Sequence, residues 1–144
     1  MEDSRQRDDA AQASLTGPAE LGFVEEVLDT LEDLYSSTGD VLDEDQTFFS
    51  LAVSEIATNI VSHGEAGADI TVTADLTIDS EALSADFQDN ADPVELSLDT
   101  AELPDEFSES GRGLAIAKMA LDHLSHEVED RHTWHLIRKR RLSD

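Results

Sequence analysis

Apolar residues along this chain change their period several times, and each change predicts a different element. Leu21, Val24, Leu28, Leu31 and Tyr35 recur three or four apart, with Val27 and Leu34 widening the stripe, which is the spacing of an amphipathic helix. Pro18 stands where that helix can begin and Gly39 where it ends. Phe49, Val53, Ile56 and Ile60 form a second helical stripe. Asp43 with Gln46 three residues on resembles a capping box at its start, and Gly64 and Gly67 stop it and turn the chain. The period then drops to two. Ile70, Val72, Ala74, Leu76 and Ile78 alternate with Thr71, Thr73, Asp75 and Thr77, and after Asp79-Ser80 the alternation resumes at Leu83, Ala85 and Phe87. That pair predicts a β-hairpin. Residues 90–110 hold Pro93, Pro104 and many acids and predict a loop. Gly111 to Gly113 then opens a third helix carrying Leu114, Ile116, Ala117, Ala120 and Leu121, and two strands follow near Leu124 to Glu129 and Thr133 to Arg140.

The order helix, helix, two strands, loop, helix, two strands predicts an α+β fold. Its form is a two-layer α/β sandwich with the helices on one face of a mostly antiparallel sheet. The first residues are polar and lack any hydrophobic period. They predict a flexible amino-terminal arm over 1–17, with a short edge strand near Ala13 to Thr16, ahead of one domain over 18–144.

Composition narrows the function. The formal net charge is -25, from 34 acidic and 9 basic residues, a field that repels phosphate backbones and argues against direct nucleic-acid binding. With no cysteine, a disulfide framework, a thiol nucleophile and a cysteine zinc site are excluded. No apolar run is long enough to cross a membrane, and Met1 to Ala13 lacks the apolar core of a secretory signal, so the expected location is cytoplasmic.

Three clusters could carry chemistry. In Ser54-Glu55-Ile56-Ala57-Thr58-Asn59, Glu55 and Asn59 are four apart and project from one side of the second helix, beside its buried stripe. A carboxylate there can take a proton from a hydroxyl, and a neutral amide can offer a hard oxygen to Mg²⁺. Asp89 falls just past an apolar strand, where a carboxylate can accept a hydrogen bond from an exocyclic amine such as adenine's. Gly111-Arg112-Gly113-Leu114 sets two glycines before a helical pattern, an arrangement that lets backbone N–H groups approach phosphate. Each cluster alone has an ordinary reading, as a solvated helix face, a turn-forming Asp and a loop.

Taken in order, the three clusters resemble the ATP-binding boxes of the GHKL (histidine-kinase-like, Bergerat-type) ATPase superfamily. More narrowly, they resemble the anti-sigma-factor serine-protein kinases of bacterial partner-switching systems. Ala52 to Gly64 (AVSEIATNIVSHG) looks like the family's N box and Gly111 to Asp122 (GRGLAIAKMALD) like its final glycine box. The resemblance implies roles residue by residue. Glu55 would be the general base that activates a serine hydroxyl of a protein substrate, and Asn59 would bind the Mg²⁺ held between ATP phosphates. Asp89 would read the adenine amine, and Gly111, Arg112, Gly113 and Leu114 would wrap the phosphates. His63 occupies a family-like position at the helix end. The family's usual Asp-x-Gly is Asp89-Asn90-Ala91 here. If that glycine needs φ > 0 or touches adenine, the added methyl of Ala91 costs about 1 kcal/mol, somewhat less than about tenfold in ATP affinity.

The function implied is that of an anti-sigma factor and ATP-dependent serine/threonine kinase in transcription regulation and stress response. It would use MgATP, sequester a sigma factor and phosphorylate its anti-anti-sigma antagonist, a STAS-domain protein; the family commonly forms homodimers. Two alternatives stand beside it: a partner-switching binding module that turns over ATP weakly or not at all, and a detached histidine-kinase ATPase domain.

Overall fold

The computed structural model describes residues 10–63, 70–90, 108–128 and 131–141, the side chains of 63 and 108–111 excepted. Five strands and three helices follow in the order β1 (Ala11–Pro18), α1 (Leu21–Thr38), α2 (Asp43–His63), β2 (Thr71–Ile78), β3 (Ala82–Asp89), α3 (Ser108–Ala120), β4 (His123–Val128) and β5 (His132–Lys139). The sheet runs β1-β2-β3-β5-β4 with every neighbouring pair antiparallel. Alternation along each strand sorts its residues between two faces. One cross-strand row, Ala13, Leu76, Ala85, Leu136 and Leu124, lies against the helices, and the next, Ser14, Asp75, Asp86, His135 and Ser125, belongs to the polar face. This is the predicted two-layer α+β arrangement.

Several elements differ from expectation in instructive ways. β1 pairs with β2 along its whole length, from Ala11 opposite Ile78 to Pro18 opposite Thr71, so 11–17 belong to the sheet and not to an arm. Its inward side chains are Ala11, Ala13 and Leu15, of which the two alanines give little hydrophobic signal yet suffice at a sheet edge. Pro18 ends this strand, and α1 starts three residues later. Phe23 packs over Gly17 and is buried while Leu21 is exposed, so the helix is rotated from the predicted stripe. Gly39 stops α1 with φ 70°, its N–H donating to the Tyr35 carbonyl at 3.0 Å.

Asp43 is the first residue of α2 rather than its cap, and the Gln46 side chain donates back to the Val41 carbonyl at 3.0 Å. The Tyr35 hydroxyl lies 2.8 Å from Ser50 Oγ and ties α1 to α2, and burial pushes its phenol far above the ordinary value. At the β2–β3 turn, Asp79 Oδ1 accepts from the amides of Glu81 and Ala82, both at 2.8 Å, which closes the hairpin. Among the described residues, no helix is long and apolar enough to cross a membrane.

One buried polar junction holds the helical layer to the sheet. Arg138 on β5 is 3% exposed, and its Nε donates to Asp45 Oδ1 of α2 at 2.9 Å. Its NH1 donates to the carbonyl of Ala120, the last residue of α3, at 2.8 Å. Asp45 is wholly buried, and its Oδ2 accepts the Arg141 N–H at 2.9 Å. The start of α2 and the end of α3 are therefore clamped to one point of the sheet. The two helices pack on each other, antiparallel in chain direction, and both extend from it toward the same end of the domain.

Candidate functional site

At the other end of α2 stand the two residues singled out by the first cluster. From Asp45 to Asn59 the helix rises about 21 Å at about 1.5 Å per residue. Strand β3 covers about 20 Å from Leu83, the register partner of Arg138, to Asp89. The two spans match, so Asn59 and Asp89 are carried to the same end of the domain. Glu55 lies one turn before Asn59. Its carboxylate rests on Gly113 of α3, where an added β-carbon would overlap Oε1.

Asn59 is 6% exposed, and neither its Oδ1 nor its Nδ2 finds a hydrogen-bond partner among the described residues. Nine in ten or more buried polar groups are bonded, and each orphan costs about 1–3 kcal/mol. A buried amide kept in this state needs a reason outside the apolar core. Its oxygen is the donor type that Mg²⁺ takes, a hard neutral carbonyl, so the residue fits the metal role the resemblance implies. Asp89 is 5% exposed at the last position of β3, on the helix-facing side of the sheet. Glu55 is half-buried.

The last cluster is placed differently from the sequence reading. Helix α3 begins at Ser108, so Gly111 and Gly113 lie within it instead of opening it. In a continuous helix the amides of Arg112, Gly113 and Leu114 point at carbonyls one turn earlier. Gly113 and Leu114 are buried and Arg112 is exposed. Gly113 serves close packing, since a β-carbon there would push the Glu55 carboxylate aside. Ala91 and the side chain of His63 lie outside the described residues. Glu55, Asn59, Gly113 and Asp89 are thus brought to one end of the α2–α3 pair and sheet, and the phosphate-wrapping geometry expected of Arg112 to Leu114 is not formed in this conformation.

Beside Asp89 the sheet holds a group that the sequence reading did not single out. His132 on β5 is the direct register partner of Asp89 and is 7% exposed. Its Nδ1 lies 2.9 Å from His126 Nε2 on β4. The His126 ring lies parallel to that of His132, centroids 5.1 Å apart, and stacks on Trp134 at 4.0 Å. The signal was present in the alternation of His132, Trp134, Leu136 and Arg138, which puts all four on the core face. Two of those four are polar, and burial of such residues on a strand marks a site or a tie.

With this geometry in view, comparison with known proteins gives a family. Residues 17–139 match the model of the histidine kinase-like ATPase domain, and the chain belongs to that family. In fold it is similar to a crystal structure of the RsbU and RsbW domains of Rv1364c from Mycobacterium tuberculosis, with TM-score 0.63 and 22% identity over 92% of this chain. The match covers 34% of that chain, so this protein spans about a third of its length. It is also similar to the histidine kinase domain of the Erythrobacter litoralis EL346 blue-light activated histidine kinase, with TM-score 0.54 and 15% identity, covering 92% of this chain and 67% of that one. A search of curated protein sequences finds no match.

Proposed function

We propose that the protein binds MgATP at the Asn59 end of α2 and transfers its γ-phosphoryl group to a serine or threonine of a protein antagonist. In its other state it holds a sigma factor. The observation that carries this reading is the buried Asn59 amide without a partner among the described residues, one turn from a half-buried carboxylate, in a chain of the ATPase-domain family. The resemblance of the three boxes to anti-sigma kinases supports the choice of substrate, as does the similarity in fold to a structure containing an RsbW domain.

On this reading Mg²⁺, when bound, neutralises phosphate charge, and the chain's own residues do the rest. Asn59 supplies a metal-facing oxygen, Asp89 accepts the adenine amine, and Glu55 takes the proton of the attacking hydroxyl. A phosphate adds about -1.5 to -2 charge to the antagonist. Against a protein of net charge -25 that addition favours release.

Calorimetry of ATP binding with and without Mg²⁺, followed by transfer of labelled phosphate to a cognate antagonist, tests the proposal. Glu55→Gln is expected to keep nucleotide binding and lose about 10²- to 10⁴-fold in transfer rate. An unchanged rate would remove the base role. A second reading, a binding module with little turnover, is favoured by the position of Arg112 to Leu114 inside α3. It predicts partner binding with no transfer from the unmodified chain.

A further inference from the structure

We infer that His132, held by His126, is a positioning residue that orients the Asp89 carboxylate toward the exocyclic amine of a purine. The inference rests on the nucleotide reading above and goes beyond it, because it makes base selectivity a property of β4 and β5 as well as of β3.

Asp89 and His132 are directly opposite in the antiparallel β3–β5 pair and both are buried on the helix-facing side. Such cross-strand partners have β-carbons within about 5.5 Å, so their side chains share one small volume. A buried carboxylate in that place needs a donor to hold it. The histidine pair decides which nitrogen can be that donor. Across the 2.9 Å between His126 Nε2 and His132 Nδ1, one nitrogen donates and the other accepts. If His126 Nε2–H donates, His132 Nδ1 is the acceptor and the neutral His132 ring carries its proton on Nε2. In that tautomer His132 offers its N–H on the side away from His126, and Asp89 is its direct cross-strand partner. A carboxylate has lone pairs enough to accept from His132 and from a ligand amine together.

The stack restrains the rings. His126 lies nearly parallel to Trp134, 16° between planes, and to His132, 6°, so neither histidine can rotate without breaking a ring contact. A rotating carboxylate would accept from any nearby donor. One fixed by His132 presents its lone pairs in one direction, which is what reading a single amine demands.

The test compares binding of MgATP and MgITP, which differ by the amine at the purine 6-position, in the full chain by calorimetry. The unmodified protein is expected to prefer ATP. His132→Phe keeps an aromatic ring but no donor, and is expected to cut the ATP/ITP ratio by about tenfold, the worth of one well-placed hydrogen bond to a charged group. His132→Gln puts an amide N–H near the Nε2 position and should recover most of the ratio. His126→Phe retains the stack on Trp134 and removes the bond to His132, and should lower the ratio in the same direction while the protein stays folded. A purely structural role would weaken ATP and ITP alike and leave the ratio unmoved. An unchanged ratio in folded His132→Phe, or in His126→Phe should the first variant fail to fold, overturns the inference and leaves the nucleotide reading standing. An unmodified protein that binds neither nucleotide overturns both.

Discussion

Breaking the Arg138 clamp should cost the protein a large part of its stability, and the structure says how the cost divides. In Arg138→Met the wholly buried Asp45 carboxylate keeps the Arg141 amide but loses the guanidinium, and the Ala120 carbonyl at the end of α3 loses its donor. Removing one partner of a buried ion pair costs about 3–5 kcal/mol, against a total stability of about 5–15 kcal/mol for a domain. In Asp45→Leu the guanidinium keeps the Ala120 carbonyl and has Glu44 at 3.7 Å, so that loss is smaller, about 2–4 kcal/mol. The double variant strands no charge. It leaves the neutral Ala120 carbonyl and Arg141 N–H to be re-satisfied, at about 1–3 kcal/mol for any that stays buried. Its total should therefore fall short of the sum of the singles by about 2 kcal/mol or more. Urea unfolding of the four proteins closes the cycle, and the melting temperature of Arg138→Met should drop by roughly 10 °C or more. Single losses that add to within about 0.5 kcal/mol would refute the claim that these groups act as a buried pair.

Three further outcomes follow from the site and its surroundings. Asn59→Leu removes an unsatisfied buried amide, so it should stabilise the ligand-free fold by about 1 kcal/mol in urea while weakening Mg²⁺-dependent ATP binding; a loss of stability would mean the amide is satisfied in solution. Gly113→Ala gains up to about 1 kcal/mol of helix propensity but pushes the Glu55 carboxylate aside, so melting should change little while phosphotransfer falls. The Asp122 carboxyl is held below its ordinary value by the Lys139 amide, then by the Arg141 side chain. A depressed carboxyl stabilises the fold above its unfolded value, near pH 4, and that contribution fades as pH falls through the folded value. Asp122→Asn should therefore unfold more easily than the parent at pH 7, by an amount kept small by solvent exposure, and match it at lower acid pH in denaturant titrations.

What could be read from the sequence was what repeats locally. The alternation of 70–78 and 83–87 predicts the β2–β3 hairpin, and the stripes beginning at Leu21 and Phe49 predict α1 and α2, because neighbouring residues carry the whole signal. The edge strand β1 is longer than its pattern predicts because Ala11 and Ala13 contribute little apolar area, and its stability comes from the β2 backbone opposite. The glycines of 111–113 are expected at the opening of a helix, facing phosphate, because glycine signals backbone freedom. In the structure Gly113 leaves space for the Glu55 carboxylate, a requirement set by a residue 58 positions away in sequence. Asp45 and Arg138 are 93 residues apart and share no period, so their pairing exists only in three dimensions. For the site, Glu55, Asn59 and Asp89 are legible as residue types in order, and His132 is signalled only by its place in the alternation of β5, while the burial of Asn59 is not legible. Burial of a polar side chain is decided by what folds over it.

Because α2 is pinned near Asp45 and carries Asn59 far from that point, the helix is a rigid arm turning on a fulcrum. With an arm of about 21 Å, a tilt of about three degrees swings the Asn59 end by about 1 Å. A misplacement of that size can cost a catalytic site about a hundredfold. Angular tolerance at the Arg138 junction is thus a property of the site itself. A substitution there that leaves the protein folded but a few degrees slack would read, in any assay, as a defect in a ligand it never touches.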